Sequence, residues 1–285
     1  MNFKQLGIRN KILISVSSII ILSLISLISF TSIKISSISK DSSQKLSKEI
    51  AGKYSYFVKS ELEYAMDTAR TLAQILEKSD MFRPDFRRER VSSILKHILE
   101  KNKEFIGVWS CWEPDLFDNR DLDFVNKPGH DSTGRFIPYW NRSGENLHLE
   151  PLLDYEKPGA GDYYLLALKT GNETVINPYY YKIGGKDVLI TSLCVPIKRD
   201  DKIIGVAGID IALEEFQDVI KQIKPFETGY AFLVANNGTY VAHGGKAENV
   251  GKNFIELNKN ENEKFDLNGK ITNGAEFSFQ KKSLA

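Results

Sequence analysis

The sequence predicts an α+β protein in which an N-terminal transmembrane helix and a long stalk helix precede two modules with antiparallel sheets, the second of them incomplete. Residues 12–33 contain no charged residue, residues 34–78 repeat apolar side chains at helical spacing, and segments between 104 and 243 are rich in β-branched and aromatic residues. The chain has 285 residues, 42% of them hydrophobic and 26% charged, with a net charge of +1. This balance gives no indication of a general nucleic-acid-binding protein.

The apolar segment 12–33, "ILISVSSIIILSLISLISFTSI", is predicted to anchor the chain in a membrane. As a helix it would span about 33 Å, the thickness of a bilayer core. A cleaved signal peptide would have a shorter apolar region and a small-residue cleavage site, and "FTSIKISS" is a poor one. Lysines and arginines lie on both sides of the segment, so charge alone does not fix the orientation, although a short basic tail over 1–11 favours an N-terminus inside the cell.

Residues 34–78 are predicted to form one helix, because apolar side chains recur mostly three or four positions apart and no proline interrupts them. Members of this stripe are Leu46, Ile50, Phe57, Leu62, Ala65, Ala69, Leu72 and Leu76. The stripe suits either a helix packed on its own domain or a stalk that carries a signal to the membrane. Continuity with the apolar segment favours the stalk.

The first module is predicted over residues 79–225. Pro84 ends the stalk, and a shorter helix follows over 87–101. Strands are predicted at 104–112, 134–142, 186–197 and 202–211, with a helix at 162–171 that ends at Gly171 and another at 213–223.

The second module is predicted over residues 226–285. It offers a hairpin at 229–243, where "NNG" joins two apolar runs, and one further candidate strand, "GAEFSF". Three strands make a thin core, so we expect this module to be truncated, completed by another chain or continued beyond Ala285.

The sequence gives no indication of an enzyme, a metal site or a cofactor. The four histidines lack metal-ligand spacing, and CxxC, GxSxG, P-loop and GxGxxG motifs are absent. The acidic run 118–123, "DNRDLD", lacks the features of an EF-hand loop and is predicted to be a solvated turn. Cys111 and Cys194 lie in apolar runs and are expected to be free core residues.

Aromatic and acidic residues concentrate in the first module and predict a pocket for a small cationic ligand. The candidate ligand-binding residues are Trp140, Asp162, Tyr163, Tyr164, Tyr179, Tyr181 and Asp210. The alternative is that these aromatics are ordinary core residues. Asp210, within the apolar strand "GVAGIDI", could instead cap the helix that follows. As a ligand residue it should be solvated, or bonded to a tyrosine hydroxyl, with open space beside Gly208.

Five segments of the first module resemble the membrane-distal module of double Cache sensor domains, found in bacterial transmembrane receptors and most often in methyl-accepting chemotaxis proteins. They are "WEPDLFDNRD" (112–121), "DSTGRFIPYWNR" (131–142), "INPYYY" (176–181), "TSLCVPI" (191–197) and "GVAGIDI" (205–211). "GYAFLVANNGTYVAH" (229–243) is similar to the start of the membrane-proximal module.

The resemblance implies two stacked PAS-like modules outside the cytoplasmic membrane, so residues after about 33 are expected to be extracytoplasmic. It also implies a homodimer formed through the stalk helix. It places the ligand-contacting aromatic pair on Tyr163 and Tyr164, the next pocket tyrosine on Tyr179, and the ligand-binding aspartate on Asp210. Amino-acid-binding members carry an arginine two residues before the aromatic pair, where this sequence has Gly161. We therefore expect an amine-type ligand, with a purine or an amino acid as alternatives.

The leading hypothesis is the ligand-sensing region of a chemoreceptor. The sensor region of a histidine kinase or cyclic-dinucleotide enzyme, and an anchored binding protein without an output domain, are the alternatives.

Overall fold

The computed structural model describes residues 7–226 and 228–278, and it begins with one helix, α1, at Ile8–Glu77. This helix contains both the predicted membrane segment and the predicted stalk without a break. The chain divides into two units, 1–57 and 58–285. In the first unit an 18-residue window of α1 has a mean hydropathy of 2.6 and is fully exposed, so by length and composition it could cross a membrane.

In the second unit the last turns of α1 bury one face of the helix. The buried residues follow the predicted three- and four-residue spacing: Ala65, Met66, Ala69, Leu72, Ala73 and Leu76. Short 3₁₀ turns at Ser79–Met81 and Pro84–Phe86 separate α1 from α2, Arg87–Lys101. The predicted end of the first helix near Pro84 and the predicted helix 87–101 are confirmed.

The described residues form a seven-stranded antiparallel sheet in the order β3-β2-β1-β7-β6-β4, with β5 also paired to β6. The strands are β1 Phe105–Trp112, β2 Pro138–Ser143, β3 Asn146–Pro151, β4 Thr174–Val175, β5 Tyr179–Ile183, β6 Lys186–Arg199 and β7 Lys202–Ala212. The predicted strand at 134–142 begins only at Pro138, and β3, β4 and β5 were not predicted.

The two faces of this sheet carry different helices. On one face, Trp140 Nε1 of β2 donates to Ser92 Oγ of α2 at 2.9 Å. On the other, the ring of Tyr163 from α3, Asp162–Thr170, packs edge-on against the ring of Trp109. Helix α3 ends at Gly171, whose φ of 68° confirms the predicted cap. The α3 face holds a core in which Cys111 and Cys194 are buried and free, as expected.

After β7, helix α4 spans Glu214–Ile220 and leads to a two-stranded sheet of β8, Phe232–Val234, and β9, Tyr240–His243. The predicted hairpin is thereby confirmed. Three short helices follow: α5 Phe254–Leu257, α6 Lys259–Phe265 and α7 Leu267–Thr272. The candidate strand "GAEFSF" is wrong over residues 274–278, which form a turn and irregular chain, and Phe279 lies outside the described residues.

Candidate functional site

The candidate site is built on the α3 face of three central strands. Because side chains alternate along a strand, Trp109 of β1, Ser192 of β6 and Asp210 of β7 point to the same face. The register places Ser192 directly opposite Asp210, and Trp109 opposite Gly208 two positions earlier on β7. Three polar side chains therefore meet in the middle of an apolar sheet.

Asp210 is only 2% exposed and is held by neutral donors. Trp109 Nε1 donates to Asp210 Oδ1 at 2.9 Å, and Ser192 Oγ donates to the same oxygen at 2.6 Å. Burial raises the pKa of the Asp210 carboxyl from 3.8 to about 6, and these bonds, with the nearby Tyr139 hydroxyl, oppose only part of that rise. The carboxylate is therefore costly to ionise in the folded protein.

This arrangement corrects two expectations about Asp210. The side chain is not solvated. Its hydrogen bonds of regular geometry come from Trp109 and Ser192, and the tyrosine hydroxyl expected beside it is that of Tyr139, which lies next to Oδ2. The Tyr179 hydroxyl is one step away, on Ser192 Oγ at 2.7 Å. The capping alternative is also wrong, because α4 begins after Leu213 and shows no side-chain cap.

The space beside Gly208 is occupied, contrary to expectation. A Cβ on Gly208 would lie 2.1 Å from Cζ2 of Trp109, so the indole ring covers this glycine. Gly107 serves the same purpose on β1, where a Cβ would lie 2.4 Å from Cε2 of Tyr139 and 2.9 Å from Oδ2 of Asp210. The two glycines let aromatic rings lie flat on the sheet next to the carboxylate.

Three of the predicted tyrosines, Tyr163, Tyr179 and Tyr181, pack together on the Asp210 face of the sheet, and we call them the aromatic wall. Tyr163 stacks on Tyr179 with ring centroids 6.3 Å apart, and Tyr181 meets both rings edge-on. Burial raises the pKa of the Tyr163 and Tyr179 hydroxyls, and for Tyr179 the Asp210 charge adds to the rise, so both stay neutral. The wall offers neutral rings whose faces attract cations.

The loop between β3 and α3 is fastened to this wall through Leu153. Tyr163 donates to the carbonyl oxygen of Leu153 at 2.6 Å, and the Leu153 amide donates to the Tyr181 hydroxyl at 2.9 Å. Two wall tyrosines thus hold both backbone groups of one loop residue, and moving the loop would release both.

Tyr164 lies beside the wall but its hydroxyl belongs to a second polar group. Arg135, 4% exposed, donates to Tyr164 OH at 2.6 Å and to Glu113 Oε1 at 2.9 Å. It also pairs with Glu156 at 2.7 Å. Tyr164 therefore acts here as a packing ring with a saturated hydroxyl.

Two predicted site residues are not brought to Asp210. Trp140 faces α2, where Lys96 Nζ lies 5.3 Å from its ring centroid. Asp162 begins α3, and its Oδ1 accepts from the Gly159 amide at 2.9 Å. The structure also shows why Gly161 holds no side chain: a Cβ there would lie 2.5 Å from the carbonyl oxygens of both Asp154 and Tyr155.

The acidic run 118–123 is not a solvated turn throughout, because part of it forms a buried ion-pair cluster. Arg88 of α2 contacts Asp118 Oδ1 and Asp121 Oδ1, each at 2.6 Å, and its side chain is 5% exposed. The ring of Phe124 lies 4.2 Å from the guanidinium carbon. This cluster fastens the loop after β1 to α2.

Ser192, Trp109 and Tyr139 were not assigned to the site from the sequence. The one available signal for Ser192 is a hydroxyl residue inside the apolar run "LITSLCVPI", which gains meaning only from the β6–β7 register.

An antiparallel sheet preceded by a long helix, with an aromatic cluster and a buried aspartate on one face, is the arrangement expected of a Cache-type sensor domain. Residues 91–218 match the family described as methyl-accepting chemotaxis protein-like, first PDC sensor domain. The chain belongs to the Cache-type sensor domains of this family, which confirms the resemblance.

Solved structures and curated proteins agree on this assignment. The extracellular domain of the putative histidine kinase mmHK1S-Z2 is 36% identical with a TM-score of 0.71, over 82% of this chain and 84% of that one. The mmHK1S-Z3 domain is 31% identical with a TM-score of 0.68, over 76% and 75%. Chemotaxis protein TlpQ of Pseudomonas aeruginosa is 31% identical over 147 residues, 47% of this chain and 21% of TlpQ. The match thus spans about a fifth of that receptor's length.

Proposed function

We propose that this chain is the ligand-sensing region of a bacterial transmembrane chemoreceptor, and that it binds a small amine-type ligand at Asp210. The observation that carries the proposal is a buried carboxylate without a cation. Within residues 7–226 and 228–278, the ion pairs formed by lysine and arginine use other carboxylates, and Asp210 is held only by neutral donors. A ligand ammonium would supply the missing charge.

The aromatic wall supports a cation as the ligand. Rings of Tyr163, Tyr179 and Tyr181 pack together on the Asp210 face of the sheet, and ring faces stabilise a desolvated ammonium by about 2 kcal/mol or more. We assign the ligand contacts to these three tyrosines and Asp210. Tyr164 would support the wall from behind, and Trp140 and Asp162 would act outside the pocket.

The backbone at Gly161 disfavours an α-amino acid. The carbonyl oxygens next to it leave no room for the arginine that would hold an α-carboxylate. Arg135, which lies against Tyr155 and Tyr164, already donates to Glu113, Glu156 and Tyr164. A purine remains the alternative that the flat aromatic surfaces could accept.

Signal transmission would run through α1. The helix continues from the exposed apolar segment into the turns that bury Leu72 and Leu76, and it has no interruption by proline. We infer an anchor in the cytoplasmic membrane, with residues after about 33 outside and the stalk pairing two copies of the chain. Ligand binding would shift the population between two arrangements of the sensor domain and so displace α1.

A histidine-kinase sensor is the second candidate, favoured by the 36% identity to the extracellular domain of a putative histidine kinase. Swimming assays separate the two. Deleting the gene should abolish migration towards the ligand if the protein is a chemoreceptor, and should leave migration intact if it is a kinase sensor.

The binding proposal is tested by thermal shift and calorimetry on the full chain in detergent with amines, purines and amino acids. We expect an amine to raise Tm and Asp210→Ala to abolish the effect. Asp187→Ala is the matched control, because Asp187 is exposed and paired with Lys182. Stabilisation by none of the compounds, or unchanged binding by Asp210→Ala, would overturn the proposal.

A further inference from the structure

Two buried side chains on the Asp210 face of the sheet carry polar atoms with no hydrogen bond of regular geometry within the described residues: the hydroxyl of Tyr139, which lies beside Asp210 Oδ2, and Oδ1 of Asn141. Both side chains lie on β2, with exposures of 1% and 0%. Buried polar atoms in native proteins are nearly always paired, so two orphans on neighbouring positions require a reason.

The sheet register places both side chains on the face that carries the carboxylate. Gly107 of β1 lies between Asn141 on one side and Asp210 on the other. Because Gly107 has no side chain, the Tyr139 ring lies over it. A Cβ at Gly107 would be 2.7 Å from the Tyr139 hydroxyl and 2.9 Å from Asp210 Oδ2, so these two oxygens converge over one point.

The remaining contacts fix which atoms are free. Asn141 Nδ2 donates to Glu150 Oε2 at 2.7 Å, which orients the amide so that Oδ1 is the unpaired atom. Both regular hydrogen bonds to Asp210, from Trp109 and Ser192, end on Oδ1. Oδ2 of Asp210, the Tyr139 hydroxyl and Asn141 Oδ1 are therefore three oxygens that keep lone pairs for a further donor.

We propose that Tyr139 and Asn141, together with Asp210 Oδ2, form an acceptor subsite that selects a ligand nitrogen bearing N–H groups, a primary ammonium above all, over a quaternary ammonium of the same skeleton. The inference rests on the proposed function and adds to it two ligand-contacting residues, Tyr139 and Asn141, and a preference for primary over quaternary ammonium ligands. A primary ammonium has three N–H donors for three oxygens. A quaternary ammonium has none and would leave buried acceptors unpaired.

The aromatic wall alone would not make this distinction, because a ring face attracts either kind of cation. The selection therefore depends on the polar atoms of β2, and substitutions there should change the preference between ligands more than the affinity for cations in general.

The test uses two pairs of probes that differ only in methylation of the nitrogen: ethanolamine with choline, and 2-phenylethylamine with its N,N,N-trimethyl derivative. Calorimetry on the full chain in detergent should show the primary amine of at least one pair binding about tenfold or more tightly than its quaternary partner. Tyr139→Phe and Asn141→Ala should each reduce that ratio. Asn146→Ala, at an exposed position of β3, should leave it unchanged.

A stability measurement excludes a merely structural role for Tyr139. If its hydroxyl served the fold, Tyr139→Phe would lower the Tm of the unliganded protein. Because the Tyr139 hydroxyl makes no hydrogen bond of regular geometry, its removal should instead leave Tm unchanged or raise it, while the Tm shift caused by the primary amine shrinks.

The outcomes separate the two proposals. Quaternary probes that bind as tightly as the primary amines, with binding lost in Asp210→Ala, would overturn the subsite and leave the sensor function standing. Failure of all four probes to bind, together with no stabilisation by any compound of the wider panel of amines, purines and amino acids, would overturn both.

Discussion

Ser192 and Asp210 face each other across β6 and β7, and the Ser192 hydroxyl donates to Asp210 Oδ1 while it accepts from the Tyr179 hydroxyl. The carboxylate is thus linked to the aromatic wall through a neutral side chain. The neutral donors Trp109 and Ser192 hold the carboxylate in position without neutralising its charge.

Asp210→Asn should stabilise the unliganded protein above pH 6. Because the folded pKa of about 6 exceeds the ordinary 3.8, the contribution of Asp210 to stability is greatest below pH 3.8 and is lost as pH rises through 6. An amide avoids this loss, and Asn Oδ1 can still accept from Trp109 and Ser192. We expect a gain of about 2–3 kcal/mol in denaturant unfolding at pH 8. Asp187→Asn, at an exposed site, should show no gain, and a less stable Asp210→Asn protein would contradict the prediction.

Amine binding should weaken in acid. Only ionised Asp210 pairs with an ammonium, so affinity for 2-phenylethylamine should be flat above pH 7 and fall about tenfold per unit below the pKa of about 6. The probe's own ammonium stays protonated throughout this range. Calorimetry from pH 5 to 8 measures the profile. An affinity that is unchanged at pH 5 would show that the Asp210 charge does not hold the ligand.

Gly208→Ala should damage the floor of the pocket. The new methyl group would lie 2.1–2.2 Å from the Trp109 indole, which must move and give up its bond to Asp210. Overpacking of this kind costs about 1–3 kcal/mol, and the tryptophan fluorescence should change with it. Gly52→Ala is the control, because no atom lies within 4 Å of its added Cβ, and alanine favours the helix. An unchanged Tm for Gly208→Ala would contradict the close contact.

Arg88→Met should destabilise the sensor domain by about 3–5 kcal/mol, because it leaves the buried carboxylates of Asp118 and Asp121 without their cation. Arg120→Met tests an exposed pair in the same loop, Arg120 with Asp123, and should cost less than about 1 kcal/mol. Thermal and denaturant unfolding compare the two variants. Equal losses would show that burial does not distinguish these ion pairs.

The sequence was sufficient for the central strands and the helices of the first module. β1, β6 and β7 are continuous runs of β-branched, aromatic and small residues, which is the composition of a buried strand. β4 and β5 were not predicted because asparagine and proline residues lie next to them in the sequence and weaken the strand pattern. Both strands are stabilised by pairing with β6, which the sequence alone does not show.

The site was harder to predict because it depends on which face of a strand a residue occupies. Alternation separates Tyr139 from Trp140, but only the packing of α2 and α3 on opposite faces decides that Tyr139 approaches Asp210. Likewise, Asp118 and Asp121 look solvated until Arg88, at least 30 positions earlier, is brought beside them.

The crowding at Gly161 has a historical consequence. A Cβ at position 161 would lie 2.5 Å from two carbonyl oxygens. A single codon change from glycine to arginine there would therefore disrupt the turn and would not produce a site for a ligand carboxylate. Homologous proteins with this backbone conformation would need a different conformation over residues 154–161 before an arginine at position 161 could bind the carboxylate of an amino acid. Ligand preference in such receptors would then be inherited with the course of the loop, and it should diverge by insertions and deletions there sooner than by point substitution.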